Sequence, residues 1–175
     1  MKSSVSSLVL AGLLTALTAL LSMISIPLGA SAVTLQTFAV ALAGYLLAPR
    51  RAVLSVGAYL LLGACGLPVF SQFQGGPGVL LGPTGGFLWG FPLMALCCSL
   101  GAGKPRMRTA AGLIGLLIVY LTGTVQLSWA AQISLKQAAL TGIVPFAAKD
   151  AVSVWAADRM AKTLSQRMGR RMNAR

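Results

Sequence analysis

Two stretches of this chain, from Ser3 to Pro49 and from Ala52 to Gly103, contain no Asp, Glu, Lys or Arg, and a third such stretch runs from Thr109 to Leu135. A membrane-crossing helix needs roughly 20 predominantly apolar residues. The first two stretches can each hold two spans and the third one, and the segment from about Thr141 to Leu164 makes a sixth. Backbone groups in lipid must bond internally, and continuous apolar runs without period-two alternation favour helices over a barrel. The expected fold class is therefore all-α, an integral membrane bundle of six transmembrane helices in one domain over residues 1–175. Its spans are expected near 6–26, 33–48, 52–66, 87–100, 109–131 and 142–164. Composition agrees: only 9% of residues are charged, against about 25% in a soluble domain.

A net charge of +12 points to nucleic acid in a soluble protein, but here the basic residues fall at the ends of the expected spans. Lys2, the pair Arg50 and Arg51, the cluster Lys104, Arg106 and Arg108, and the tail from Arg159 to Arg175 alternate with loops that carry one basic residue, Lys136. The positive-inside bias puts those four regions, and so both termini, in the cytoplasm. The expected setting is the cell membrane in multi-pass form, with the lipid bilayer and not nucleic acid as the surrounding partner. The basic tail marks the cytoplasmic side or touches anionic lipid. Lys2, an apolar run and Ala30-Ser31-Ala32 imitate a signal peptide, yet Leu8 to Ile26 exceeds the roughly 7 to 15 residues of a signal core. A span is expected there, not a cleaved leader.

Between Gly66 and Gly86 the chain carries seven glycines and three prolines in 21 residues, which no continuous helix tolerates. Irregular backbone near a membrane is found where it lines a cavity or is buried in protein, so this segment is placed at the outer surface. Its strings Gly75-Gly76-Pro77-Gly78 and Gly82-Pro83-Thr84-Gly85-Gly86 lack the Lys-Ser/Thr ending of a nucleotide loop, and no ATP site is expected. The chain has no histidine, and its three cysteines lie in apolar segments as packing residues, so no metal or cofactor is expected.

The two acidic residues, Asp150 and Asp158, stand about 12 Å apart along one helix, too far for paired-carboxylate catalysis. An enzyme is not expected. Asp150 follows Lys149 just inside the last span, where ionisable groups are costly and functional by default; the alternative is an interfacial anchor. Asp158, followed by Arg159, reads as a boundary residue. On the first helix Ala11, Thr15 and Ala19, with Gly12 and Ala16 beside them, form a small-residue face that lets another helix approach closely, within the chain or from a partner.

The strings Ile26-Pro27-Leu28-Gly29, Val33-Thr34-Leu35-Gln36-Thr37, Gly66-Leu67-Pro68-Val69-Phe70 and Leu81-Gly82-Pro83-Thr84-Gly85-Gly86-Phe87 resemble, in order and spacing, the BioY biotin-transporter family. The resemblance extends through Gly90-Phe91-Pro92, Gly142-Ile143-Val144-Pro145-Phe146 and Asp150. It implies a six-helix substrate-binding (S) subunit of an energy-coupling-factor (ECF) importer. Such a subunit captures biotin near the outer face and docks on a membrane coupling subunit driven by two ATPase subunits. The small face of the first helix then resembles the docking face.

Biotin offers a ureido ring, a thioether ring and a valerate carboxylate. The resemblance implies that Asp150 accepts from ureido N–H and that the loop from Gly76 through Gly82 and Gly86 to Phe87 encloses the ring. Gln74 and Thr84 are the expected polar contacts, Phe87 and Trp129 the apolar walls, and Gln126 and Gln36 buried polar candidates, the alternative for these two being that they satisfy neighbouring helices. The family pattern near the aspartate resembles Gly-Asp-x-x-Lys, whereas here Lys149 precedes Asp150 and Ser153 holds the later position. Lys149 and Ser153 are four apart on one helix face, so Lys149 is expected to reach the same region and meet the carboxylate. The alternatives are the same scaffold serving another vitamin, or a membrane assembly subunit without a ligand.

Overall fold

The computed structural model describes residues 2–28, 31–104 and 106–173. It is mostly helical. Helix α1 (Lys2–Met23) leads into strands β1 (Ser25–Leu28) and β2 (Ser31–Thr34), followed by α2 (Gln36–Leu46) and α3 (Pro49–Ala64). A 3-10 turn at Ser71–Phe73 and the short α4 (Pro77–Leu81) break up the glycine-rich segment. Then come α5 (Gly85–Ala102), α6 (Arg108–Ala131), α7 (Leu135–Gly142) and α8 (Ala147–Asn173). Helices stand at all six expected places. Among the described residues three of them, at Val5–Met23, Gly85–Ala102 and Arg108–Ala131, are long and apolar enough to cross a membrane.

The differences have local causes. The outer loop expected at Pro27 to Ala32 is largely an antiparallel hairpin in which Ile26 pairs with Val33 and Pro27 with Ala32; Gly29 and Ala30 lie outside the described residues. Residues 33–35, expected to open the second span, are given to this strand and its turn, which shortens α2 to 11 residues, about 16 Å of helix. Ala48 is extended (ψ 152°), as the residue before a proline prefers, and Pro49 opens α3 at its first turn. The last helix starts at Ala147 rather than Gly142, because Ile143 to Phe146, with Pro145 among them, form a turn joining it to α7.

Helices α5 and α6 are the most intimately packed pair, and their glycines allow it. A Cβ on Gly90 would fall 2.7 Å from Val119 Cα, closer than a real Cβ contact, so the backbones meet there as small residues permit. Gly90→Ala should lower the thermal midpoint of the detergent-solubilised protein, at a cost of about 1–3 kcal/mol for overpacking. An unshifted melting curve would show that the helices can part without penalty.

The small face of α1 is divided. Ala11 and Thr15 are buried within the chain: Thr15 Oγ1 donates to the Ser55 carbonyl on α3 (2.9 Å), and Ser55 Oγ donates back to the Ala11 carbonyl (3.0 Å). Gly12 and Ala16 are exposed and Ala19 is half-buried. Asp158 is no boundary residue. It is 1% exposed, with Arg108 Nε at 2.6 Å from Oδ1, and Thr109 Oγ1 (3.0 Å) and Lys162 Nζ (2.8 Å) at Oδ2. Arg108 also donates to the Ala102 carbonyl and lies over the Tyr45 ring, so one carboxylate gathers the ends of α5 and α6 against α2 and α8. Sequence reading missed it because Arg108 is 50 residues away.

Candidate functional site

A cavity of about 170 Å³ lies where the hairpin, the glycine-rich segment and the starts of α2, α5 and α8 converge on the middle of α6. One wall is apolar, with Phe70, Phe87, Leu88, Phe91, Val119 and Phe146. Polar side chains share the lining, among them Gln36, Gln74, Thr84, Tyr120, Lys149 and Asp150. A concave pocket that joins aromatic and apolar side chains with convergent polar groups is a usual form of a ligand site. Here it joins the two features that the sequence singled out separately, the broken backbone and the lone carboxylate.

Asp150 is buried and stands in the first turn of α8. An acidic group is favoured there by the helix dipole, and its own N–H is satisfied by the Phe146 carbonyl (2.8 Å). Its Oδ2 accepts from the Tyr120 hydroxyl at 2.8 Å. Its Oδ1 lies against the Lys149 ammonium in an ion pair and accepts no aligned hydrogen bond among the described residues. Lys149, whose side chain is 28% exposed, also donates to the Thr34 carbonyl at the end of β2 (2.8 Å), and this hydrogen bond ties the hairpin to α8.

Gln36 opens α2 and donates through Nε2 to the Tyr59 hydroxyl on α3. Phe87 reaches the cavity because Gly123 on α6 leaves room; a Cβ on Gly123 would fall 2.3 Å from Phe87 Cδ1. The 3-10 turn that brings Gln72 and Gln74 to the cavity holds Gln72 and Phe73 at φ 58° and 57°, left-handed backbone that costs free energy in non-glycine residues. The Gln72 N–H is held by Ser25 Oγ of β1 at 3.1 Å.

Of the residues expected at the site, Gln36, Gln74, Thr84, Phe87, Lys149 and Asp150 line this cavity; the others do not. Trp129 is 71% exposed. It is nine residues from Tyr120 on α6, and at 100° per residue that is half a turn away from the cavity. Gln126 braces the loop: its Nε2 donates to the carbonyls of Leu80 and Gly82, both at 2.8 Å. Gly76 turns the chain at φ 94° and donates its N–H to the Gly63 carbonyl. Gly82 is the acceptor for Gln126, and Gly86 packs against the Thr122 carbonyl, where a Cβ would fall at 2.3 Å. The glycines thus shape the enclosing loop without lining the cavity. Ser153 is buried beside Lys149 in a separate apolar groove between α2 and α8.

Sequence reading missed Tyr120, Thr34 and the aromatic residues Phe70, Phe91 and Phe146. Tyr120 carried a signal, since a tyrosine in a long uncharged span must find a partner for its hydroxyl, and a carboxylate is the strongest acceptor the chain possesses.

The sequence matches the BioY family over residues 1–170. It is 41% identical over 165 residues to a probable biotin transporter BioY of Pyrococcus horikoshii, covering 94% of this chain and 98% of that one. It is also 41% identical over 162 residues to the biotin transporter BioY of Thermotoga maritima, covering 91% and 95% respectively. The fold is similar to the crystal structure of the S-component for biotin from an ECF-type ABC transporter, with a TM-score of 0.87 and 25% identity over 94% of this chain and 93% of that one.

Proposed function

Because this chain belongs to the BioY family, we propose that it is the biotin-capturing S subunit of an ECF-type vitamin importer. The observation that carries the reading is the buried Asp150, with one carboxylate oxygen fixed by Tyr120 and the other against the Lys149 ammonium, at the wall of a cavity lined by aromatic and polar side chains. A cyclic urea can donate an N–H to this carboxylate, and the fused thioether ring suits the aromatic side chains of the lining. Gln36, Gln74 and Thr84 are the remaining polar contacts, and Gln126 holds the enclosing loop in place. After purification in mild detergent and denaturation, mass spectrometry should find biotin at near one per chain. A different vitamin, or no small molecule, would sink the assignment.

In this reading the chain is one six-helix membrane domain with both termini in the cytoplasm, supported by the placement of its basic residues. It takes its energy from a coupling subunit and two ATPase subunits. Docking on the coupling subunit falls to the outward half of the α1 face, Gly12 and Ala16. Gly12 has open space around it, with nothing within 4 Å of an added Cβ; Ala11 and Thr15 are engaged with α3. Ala16→Trp should leave biotin affinity within about twofold, as surface changes usually do. Uptake by cells expressing the whole transporter should fall to on the order of a tenth or less, as when the centre of an interface is blocked. Normal uptake would exclude this face from docking.

A further inference from the structure

We infer that the outer end of α3 positions two walls of the cavity without lining it: Gly63 and Tyr59 set the ring of Phe70, and Tyr59 also sets the amide of Gln36. Phe70 and Gln36 line the cavity, whereas Tyr59 and Gly63 do not. Both α3 residues are therefore positioning residues for ligand capture, and the inference rests on the biotin reading.

Tyr59 is 0% exposed and Phe70 1%. Their rings meet edge to face, with centroids 5.5 Å apart and planes at 85°, an arrangement that aromatic pairs favour. Gly63 stands four residues after Tyr59, on the same face of the helix, and completes the slot: a Cβ there would fall 2.1 Å from Phe70 Cζ. The Gly63 carbonyl also accepts from the Gly76 N–H (2.7 Å), so the enclosing loop is tied to the same turn of α3.

The main chain around Phe70 is held from two other sides. Ser22 Oγ of α1 donates to the Val69 carbonyl, and the Phe70 N–H donates to the Gln74 carbonyl (2.9 Å). A ring displaced from its slot on α3, with its backbone fixed in this way, turns into the cavity that it already lines.

The polar wall depends on the other end of the same tyrosine. Gln36 is 6% exposed, and its Nε2 donates to the Tyr59 hydroxyl. An amide has a donor end and an acceptor end. With the nitrogen engaged at Tyr59, the carbonyl oxygen is left to accept from the ligand. A phenylalanine at 59 would keep the ring edge against Phe70 and leave a buried donor unpaired.

Equilibrium binding of radiolabelled biotin to the purified full chain, well below its thermal midpoint, tests both arms. Gly63→Ala should weaken biotin by about tenfold or more through overpacking, although alanine is the better helix former. In a Phe70→Leu background, where the shorter side chain leaves room, the same substitution should change affinity by less than about threefold. Tyr59→Phe should weaken biotin by about three- to tenfold, and that loss should largely vanish in a Gln36→Leu background. Should Gly63→Ala not fold, Tyr59→Leu reads the Phe70 arm: it should weaken biotin more than Tyr59→Phe does, and the extra loss should be absent in the Phe70→Leu background.

Unchanged affinity in Gly63→Ala, or an equal loss with and without the Phe70 ring, overturns the inference. So does a Tyr59→Phe effect that adds fully to that of Gln36→Leu, since the hydroxyl would then serve the fold alone. A chain that binds no biotin before any substitution overturns the biotin reading itself, and this inference with it, which tells the two failures apart.

Discussion

Asp150→Asn should weaken biotin binding by about 1.5–3 kcal/mol, the range for a hydrogen bond to a charged group, or roughly ten- to more than a hundredfold in Kd. The substitution is nearly isosteric and keeps a carbonyl oxygen able to accept from Tyr120, so the cavity should hold its shape while the acceptor loses its charge. It also leaves the Lys149 ammonium with the Thr34 carbonyl as its remaining partner among the described residues. Equilibrium binding of radiolabelled biotin to the purified variant measures the effect. An affinity unchanged within error would remove Asp150 from the site.

Asp158 should matter to stability and not to the ligand. It is 1% exposed and shares its two oxygens among Arg108, Thr109 and Lys162. Removing one partner of a buried ion pair typically costs about 3–5 kcal/mol, because the other charge is left without compensation. Asp158→Leu strands Arg108, whose side chain is 11% exposed, and the thermal midpoint in detergent should drop sharply. Lys162 is 37% exposed, so water screens that pair and Lys162→Ala should shift the midpoint little. Pairing Asp158→Leu with Arg108→Met should recover much of the loss, since a well-packed apolar replacement of a buried pair is often tolerated. No recovery would mean that the geometry of the cluster, and not its charge balance, holds the helix ends.

Much of the architecture was legible in the distribution of charge. Fully uncharged stretches bounded by basic residues located the helices, and Pro49 and the glycine-rich segment marked where they stop. The hairpin was not legible: Ser25–Leu28 and Ser31–Thr34 are too short for a period-two pattern to stand out beside apolar spans.

At the site, Asp150 announced itself by its cost in an apolar setting, and Gln36, Gln74, Thr84 and Phe87 by family resemblance. Trp129 and Gln126 do not line the cavity, because a resemblance assigns residues to a region while helical phase decides which way they point. Gln126 turns toward the Leu80 and Gly82 carbonyls, and Trp129 lies half a turn from Tyr120. The Asp158 cluster was hidden for a different reason. Its partner Arg108 looked like one more topological marker, and only the packing of α6 beside α8 brings the two together.

The burial of Asp150 and Asp158, the only acidic residues in the chain, leaves its exterior with charge of a single sign. Among the described residues, the ionised side chains that are exposed are Lys or Arg, and apart from Lys149 and Lys162 none of these exposed ones has a carboxylate partner. Such a surface draws anionic lipid and acidic protein and repels its own kind over a distance of about a Debye length, roughly 8 Å at physiological salt. Two molecules of this protein that meet in one bilayer should repel at their basic rims, and added salt should weaken that repulsion.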